Sequence, residues 1–125
     1  MDVIVKIAKS EADQDACLAL RRQVFIQEQN VPEHEEVDGE DDICVHILAT
    51  LDGAPVGAAR YQMIAEYAKI QRVCVPRTQR GSGVGVQMMR FIADHIGATT
   101  DVRILRLGAQ IHALKFYENL GYGQF

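Results

Sequence analysis

The chain has 125 residues, of which 48% are hydrophobic and 24% are charged, and its net charge at pH 7 is −4. This length suits a single domain, and the negative charge argues against nonspecific nucleic-acid binding, which usually leaves a basic surface. No apolar run is as long as a membrane span, and the N-terminus lacks the layout of a signal peptide. We therefore expect one cytoplasmic domain over residues 1–125, with neither nucleic acid nor a membrane as partner.

Residues 2–8 alternate apolar and polar side chains, which predicts a half-buried first strand. Ser10 stands three residues before Asp13, the spacing of a capping box, so a helix is expected to begin there. The apolar stripe of this helix is formed by residues spaced four apart: Ala16, Leu20 and Val24. Polar residues off this stripe are expected to be solvated: Arg21, Arg22, Gln27 and Glu28.

Residues 29–42 are the least regular part of the chain, because they are rich in acidic side chains and interrupted by Pro32 and Gly39. Such a composition is typical of a disordered acidic loop. The stretch is short, however, and it joins a helix to a strand, where substrate-binding loops often lie. Both interpretations remain open.

Residues 43–51 alternate in the pattern of a second strand, with apolar side chains on one face. Asp52-Gly53 predicts a two-residue hairpin turn, after which residues 56–63 return as the partner strand. Gly57 within that strand indicates a bulge or a close approach of neighbouring chain.

A turn over residues 65–68 leads into the most informative stretch. Residues 70–75 are rich in β-branched side chains and predict a strand, which Pro76 ends because proline has no amide hydrogen for pairing. Residues 80–85, RGSGVG, then form a glycine-rich turn. The helix that follows is expected to end near Gly97, with this apolar stripe: Val86, Met89, Ala93 and Ile96.

A strand, a glycine turn and a helix in this order predict an anion site. Glycines let the backbone come close to a phosphate, and the free amides and dipole of the helix end favour negative charge. Gly81, Gly83 and Gly85 do not have Rossmann spacing, and Val84 and Val86 replace the polar residues of a Walker loop. A turn without a ligand is the alternative.

Residues 102–109 predict a last strand, and a helix closed by Gly121 follows it. The expected fold class is α/β, with a mixed and mostly antiparallel sheet that carries helices on both faces. The three cysteines do not have disulfide or metal-ligand spacing with one another or with histidines, so we expect no metal site and reduced core thiols: Cys17, Cys44 and Cys74.

Three stretches resemble the GNAT superfamily of N-acetyltransferases. Arg80, Gly83 and Gly85 match its acetyl-CoA pattern R/Q-x-x-G-x-G/A. The end of the chain is similar to a second hallmark, at these positions: Ala113, Phe116, Tyr117, Gly121 and Tyr122. Residues 22–32, together with three acidic residues that follow, resemble the opening of a small bacterial subgroup of ElaA-like and YjcF-like proteins: Glu35, Glu36 and Asp38.

The resemblance implies a splay between two central parallel strands, at residues 73–75 and 105–109, with acetyl-CoA as cofactor. Backbone amides of Val73 and Val75 would bind the pantetheine arm, and Gln110 stands where many members carry Asn. The pyrophosphate would lie over the glycine turn: Arg80, Gly81, Ser82, Gly83, Val84 and Gly85. A solvated loop arginine is the alternative for Arg80.

Acetyl transfer needs a neutral amine, a polarised thioester carbonyl and a stabilised thiolate. Tyr117 is the implied acid for the sulfur, since a phenol donates a hydrogen bond while neutral, and a packed aromatic residue is the alternative. Many members carry a Glu near the amine, where this chain has Gln71, which cannot accept a proton. Candidate bases acting through water are Glu28, His34, Glu35, Glu36 and Glu66.

The leading hypothesis is an acetyl-CoA-dependent N-acetyltransferase that acts on a primary amine, either a small molecule or a peptide. Acidic residues 33–42 would attract a cationic acceptor. Gln71 leaves a non-catalytic acyl-CoA-binding or regulatory module as the alternative, and a nucleotide-binding interaction domain is third. Superfamily members usually continue with two more strands, so we expect either that these are missing or that a homodimer completes the sheet.

Overall fold

The computed structural model describes residues 3–28, 43–102, 104–107 and 121, with only the backbone for residues 27 and 28. Within them lie five strands and two α-helices: β1 Val3–Ile7, α1 Glu11–Arg21, β2 Val45–Leu51, β3 Ala54–Ile64, β4 Tyr67–Cys74, α2 Val84–Thr99 and β5 Ile104–Leu107. A π-helical segment, Arg22–Glu28, continues α1, and a 3₁₀ turn, Arg77–Gln79, precedes α2.

The strands form one sheet in chain order, β1-β2-β3-β4-β5. The first three pairings are antiparallel and that between β4 and β5 is parallel. The parallel pair needs a crossover, which α2 provides. The predicted mixed and mostly antiparallel sheet is therefore confirmed.

The two α-helices cover opposite faces of this sheet. Below α1 lies a cluster of buried residues from the helix and three strands: Cys17, Leu20, Val24, Leu48, Ala58 and Cys74. Below α2 lies another: Ile47, Ala59, Tyr61, Ala68, Ile70, Met89, Ile92 and Ile96. The sheet centre is thus buried on both sides, and β2 does not have the single apolar face that its alternation predicted.

Two local predictions are confirmed by backbone geometry. The amide of Asp13 donates to the Oγ of Ser10 at 3.1 Å, so Ser10 caps the start of α1. Asp52 and Gly53 both have positive φ, 53° and 83°, as a tight hairpin turn between twisted strands requires.

Other expectations need correction. The turn before β4 contains only residues 65 and 66, because Tyr67 and Ala68 already pair with Ile64 and Met63 of β3. Arg21 is not solvated, since it lies one turn after Cys17 on the buried side of α1 and is 1% exposed.

The predicted apolar stripe of α2 also differs from the face that is buried in the structure. Val86 and Ala93 are half-buried, and the fully buried positions of α2 are Val84, Met88, Met89, Ile92 and Ile96. The helix passes the exposed Gly97, where glycine costs helix propensity but no packing, and continues to Thr99.

The structure shows both features that were expected at Gly57, a bulge and a close approach of neighbouring chain. Ala49 pairs with Gly57 and Thr50 with Pro55, so Val56 is an extra residue that forms a bulge in β3. A Cβ on Gly57 would lie 2.9 Å from both Cγ1 of Val84 and Sδ of Met88. The absence of a side chain therefore lets the start of α2 lie directly on β3.

Candidate active site

A second bulge, in β4, defines the candidate site. Ala58 pairs with Cys74 and Arg60 pairs with Gln71. Three residue steps in β4 therefore lie opposite two residue steps in β3. One residue of β4 is therefore unpaired with β3, and Arg72 at this point has φ 54°. A residue with a Cβ rarely adopts this left-handed conformation, which marks a strained position.

The bulge changes which side chains of β4 face each helix. Ala68 and Ile70 pack below α2, and without the bulge the next residues on that face would be residues 72 and 74. Instead, Val73 packs against the core below α2, and Cys74 packs below α1. Val73 and Val75, the predicted pantetheine-binding residues, are both in contact with the cluster that contains the first helical residue, Val84.

The bulge lies just beyond the parallel pairing of β4 with β5. The four pairs of this ladder begin at Tyr67 with Ile104 and end at Ile70 with Leu107. Leu107 is the last residue of β5 among those described, so the predicted splay with residues 108 and 109 lies outside them. β4 continues beyond Ile70 into the bulge and points its end toward the glycine turn.

The glycine turn connects β4 to α2 through two left-handed residues. Gly81 and Gly83 have φ of 82° and 88°. A Cβ built on either would have no atom of the described residues within 4 Å, so both glycines are needed for backbone conformation and not for packing against them. The described part of the chain therefore leaves room for a ligand to approach the amides of the turn.

The N-terminus of α2 supplies those amides. Gly83 is the N-cap, and the first helical bond runs from the amide of Gln87 to the carbonyl of Gly83 at 3.0 Å. The amides of Val84, Gly85 and Val86 therefore have no acceptor within the helix. The first turn carries no acidic side chain, so its amides and dipole favour an anion.

Polar contacts hold the turn against the end of β4. The Nε of Arg80 donates to the carbonyl of Val75 at 3.0 Å, and the Oγ of Ser82 donates to the carbonyl of Gln79. Arg80 is exposed but not a freely solvated side chain. Its positive charge is fixed beside the turn, where it adds to the attraction for an anion.

A polar row that the sequence reasoning missed crosses the sheet on the face of α1. His46, Arg60 and Gln71 are cross-strand partners on β2, β3 and β4. Arg60 is 0% exposed, and its Nε donates to Oε1 of Gln71 at 3.0 Å. His46 is also buried, at 7% exposed, so it is not a surface histidine. An arginine inside the apolar strand APVGAARYQMI was the available signal for this row.

Several predicted residues lie outside the described part of the chain or away from the bulge. Tyr117, Gln110 and three candidate bases belong to residues that the structure does not describe: His34, Glu35 and Glu36. The side chain of Glu28 is also outside that part. Glu66 lies in the exposed turn before β4, at the opposite end of that strand from the bulge, about 20 Å away along it. The structure therefore does not bring Glu66 to the candidate site.

Among the described residues, no helix is long and apolar enough to span a bilayer.

Comparison with known proteins identifies the fold and the family. The sequence profile of the acetyltransferase (GNAT) family matches residues 10–122. The uncharacterized N-acetyltransferase YjcF of Bacillus subtilis is 36% identical over 116 residues, which cover 93% of this chain and 82% of YjcF. The crystal structure of Escherichia coli ElaA has a TM-score of 0.83 at 29% identity, with coverage of 99% of this chain and 94% of ElaA.

A second similar structure was determined with a ligand. It is the crystal structure of a predicted acetyltransferase from Clostridium acetobutylicum with acetyl-CoA, and its TM-score is 0.79. The alignment covers 99% of this chain and 92% of that one at 14% identity, which shows a common fold. The predicted resemblance to the small bacterial subgroup is confirmed by YjcF and ElaA. From its matching profile and its relatives, the chain belongs to the GNAT family of acetyltransferases.

Proposed function

We propose that this protein transfers the acetyl group of acetyl-CoA to a primary amine by direct attack of the amine on the thioester. Family membership supplies the reaction class. The observation that carries the proposal is the turn before α2, where left-handed Gly81 and Gly83 lie beside helix amides and Arg80, and where no described residue fills the space next to the two glycines. This combination suits the pyrophosphate of a CoA molecule.

The cofactor is proposed to extend from this turn to the bulge of β4. The pyrophosphate lies over residues 80–85, and the pantetheine arm accepts hydrogen bonds from backbone amides of Val73 and Val75. The bulge supports this placement, because it interrupts the ladder with β3 at that point of the strand. Gln110 is proposed to complete the cofactor site.

In the reaction, the nitrogen of the neutral amine forms a bond to the thioester carbon, and the carbon–sulfur bond breaks. The products are an acetamide and CoA, and the proton lost by the amine balances the proton gained by the thiolate. Tyr117 is proposed to protonate the sulfur. Gln71 cannot accept the amine proton, so the base is a different group, and acidic residues 33–42 are proposed to attract the cationic form of the acceptor.

The test is a calorimetric titration with acetyl-CoA of three proteins: the parent, Gly83→Ala and Gly53→Ala. Gly53 is a matched control, since its φ is 83°, no atom of the described residues lies within 4 Å of a Cβ built there, and it belongs to the β2–β3 hairpin and not to the glycine turn. Each alanine at positive φ costs about 1–2 kcal/mol of stability. Only the Cβ at Gly83 would occupy the phosphate space, so this variant alone should bind acetyl-CoA at least about tenfold more weakly.

Equal weakening in both variants would show that backbone strain, and not phosphate contact, causes the loss. A parent protein that does not bind acetyl-CoA would contradict the proposal.

A non-catalytic acyl-CoA-binding module is the second candidate, favoured by one observation. Gln71 lies at the bulge with its side-chain oxygen engaged by Arg60, so this position provides no base. Such a module predicts binding of acetyl-CoA without turnover. Amine-dependent release of CoA would exclude it.

A further inference from the structure

We propose that Gln71 donates a hydrogen bond from its side-chain amide to an oxygen of the acceptor, and that Arg60 is the positioning residue that fixes this direction. The acceptors are then primary amines that also carry a hydroxyl, carbonyl or carboxylate oxygen. This inference rests on the proposed function and names the substrate class of the same site.

The direction of the amide follows from its partner. Arg60 is 0% exposed, and a guanidinium keeps its charge in proteins and has no acceptor atom. Its Nε donates to Oε1 of Gln71 at 3.0 Å, so the carbonyl end of the amide faces Arg60. The NH₂ end of Gln71 points away from the arginine, and a reversed amide would place two donors against each other.

Gln71 lies on β4 just before the segment proposed to bind the pantetheine arm. Gln71 follows Ile70, the last residue of β4 that pairs with β5, and precedes Arg72 at the bulge. Val73, a proposed contact of the pantetheine arm, is two residues further, or about 7 Å along the strand. Gln71 is half-buried, so its side chain is not sealed inside the core.

An N–H donor at this place favours acceptor molecules that carry an oxygen atom. A donor repels the ammonium form of the acceptor, and a hydrogen bond to the lone pair of the neutral amine would block the attack. Within the acceptor, the group that satisfies the donor without blocking the attack is an oxygen attached elsewhere on the same molecule. One such hydrogen bond corresponds to about a tenfold change in affinity.

Position 71 is also unsuited to a glutamate base. A carboxylate in Gln71→Glu would meet the guanidinium of Arg60, which favours the ionised form and holds the carboxyl pKa low. We therefore expect Gln71→Glu to lose the oxygen preference without any faster turnover of plain amines.

The experiment measures kcat/KM for pairs of amines that differ in one polar group. The pairs are ethanolamine with propylamine, glycinamide with isobutylamine, and L-phenylalanine with phenethylamine. The variants are Gln71→Met, Gln71→Glu and Arg60→Lys. Gln62→Met is the matched control, since it removes the same amide from β3, where Gln62 pairs with Lys69. Ratios between parent and variant cancel the intrinsic reactivity of each amine.

The parent should favour the oxygen-bearing member of at least one pair by about tenfold, and Gln62→Met should retain this preference. Gln71→Met should lower this preference by about tenfold relative to the parent through a higher KM for the oxygen-bearing amine, with the Kd for acetyl-CoA unchanged. Arg60→Lys keeps the charge but lacks the fixed Nε. Its preference for the oxygen-bearing amine should therefore be weaker than that of the parent and stronger than that of Gln71→Met. An unchanged ratio in Arg60→Lys would remove the positioning role of Arg60.

Other outcomes overturn the proposal. A preference for the oxygen-bearing amine that is as strong in Gln71→Met as in the parent would show that the amide does not contact the acceptor. An equal loss of kcat for both members of each pair would place the amide on the thioester carbonyl instead. A protein that binds acetyl-CoA but acetylates no amine would contradict the proposed function itself, which separates the two failures.

Discussion

At position 72, a single residue in a left-handed conformation sets the geometry of the site. The φ of 54° at Arg72 accompanies the bulge that turns Val73 toward α2 and leaves Gln71 beside Arg60. From the sequence, the strand and its end at Pro76 were predictable. The bulge was not, because arginine gives no signal for positive φ and glycine would.

The Arg60–Gln71 contact was not predictable for a related reason. The two residues are eleven positions apart, and they meet only because the register of β3 and β4 aligns them. A strand pattern indicates which residues share a face, but it does not determine which residue of the next strand lies opposite.

Tyr61 provides a prediction about alkaline pH. It is 4% exposed, and burial raises the pKa of its phenol above the ordinary value of 10.0. Above about pH 10 the unfolded chain loses this proton while the folded protein keeps it, so the stability falls as pH rises through the folded pKa. Urea unfolding between about pH 9 and pH 11.5 should show a steeper loss for the parent than for Tyr61→Phe. Parallel pH profiles would contradict this account.

At the level of elements, the contact of α2 with β3 connects the core to the proposed cofactor site. Gly57 lies against Val84, which is also the first residue of α2 after the glycine turn. The start of the helix, and with it the proposed phosphate amides, is therefore positioned by packing on β3.

Gly57→Ala tests this connection. The added Cβ would meet Val84 and Met88 at 2.9 Å, so the free energy of unfolding should fall by about 1–3 kcal/mol and acetyl-CoA should bind more weakly. Gly97→Ala on the exposed side of α2 is the control, where the same change should add about 0.5–1 kcal/mol. Urea unfolding and calorimetric titration measure both effects. Unchanged stability in Gly57→Ala would mean that α2 is not held in this way.

Helix and strand positions were predicted better than their ends. The hairpin at Asp52-Gly53 carried a turn signal and was found, whereas the turn at Ala65 and Glu66 carries none, although Ala65 has φ 51°. The buried face of α2 differs from the predicted stripe because Met88 and Ile92 pack against two different parts of the sheet. Helical periodicity alone does not predict these two contacts.

For the whole molecule, the β4–α2–β5 crossover brings the parts of the site together. It places the bulge, the glycine turn and the parallel pairing in one continuous stretch of chain. This arrangement was accessible from the sequence, because a strand, a proline, a glycine turn and a helix follow one another there. The proposed contact of Gln71 with the acceptor was less predictable, since it depends on the assembled sheet.

The central claim, that acetyl-CoA lies over the glycine turn and along the end of β4, is tested most directly by amide ¹H–¹⁵N spectra recorded with and without acetyl-CoA. A chain of 125 residues is well suited to this measurement. The largest shifts should occur at the amides of residues 81–86 and at Val73 and Val75. Shifts concentrated elsewhere, or none at saturating acetyl-CoA, would contradict the account.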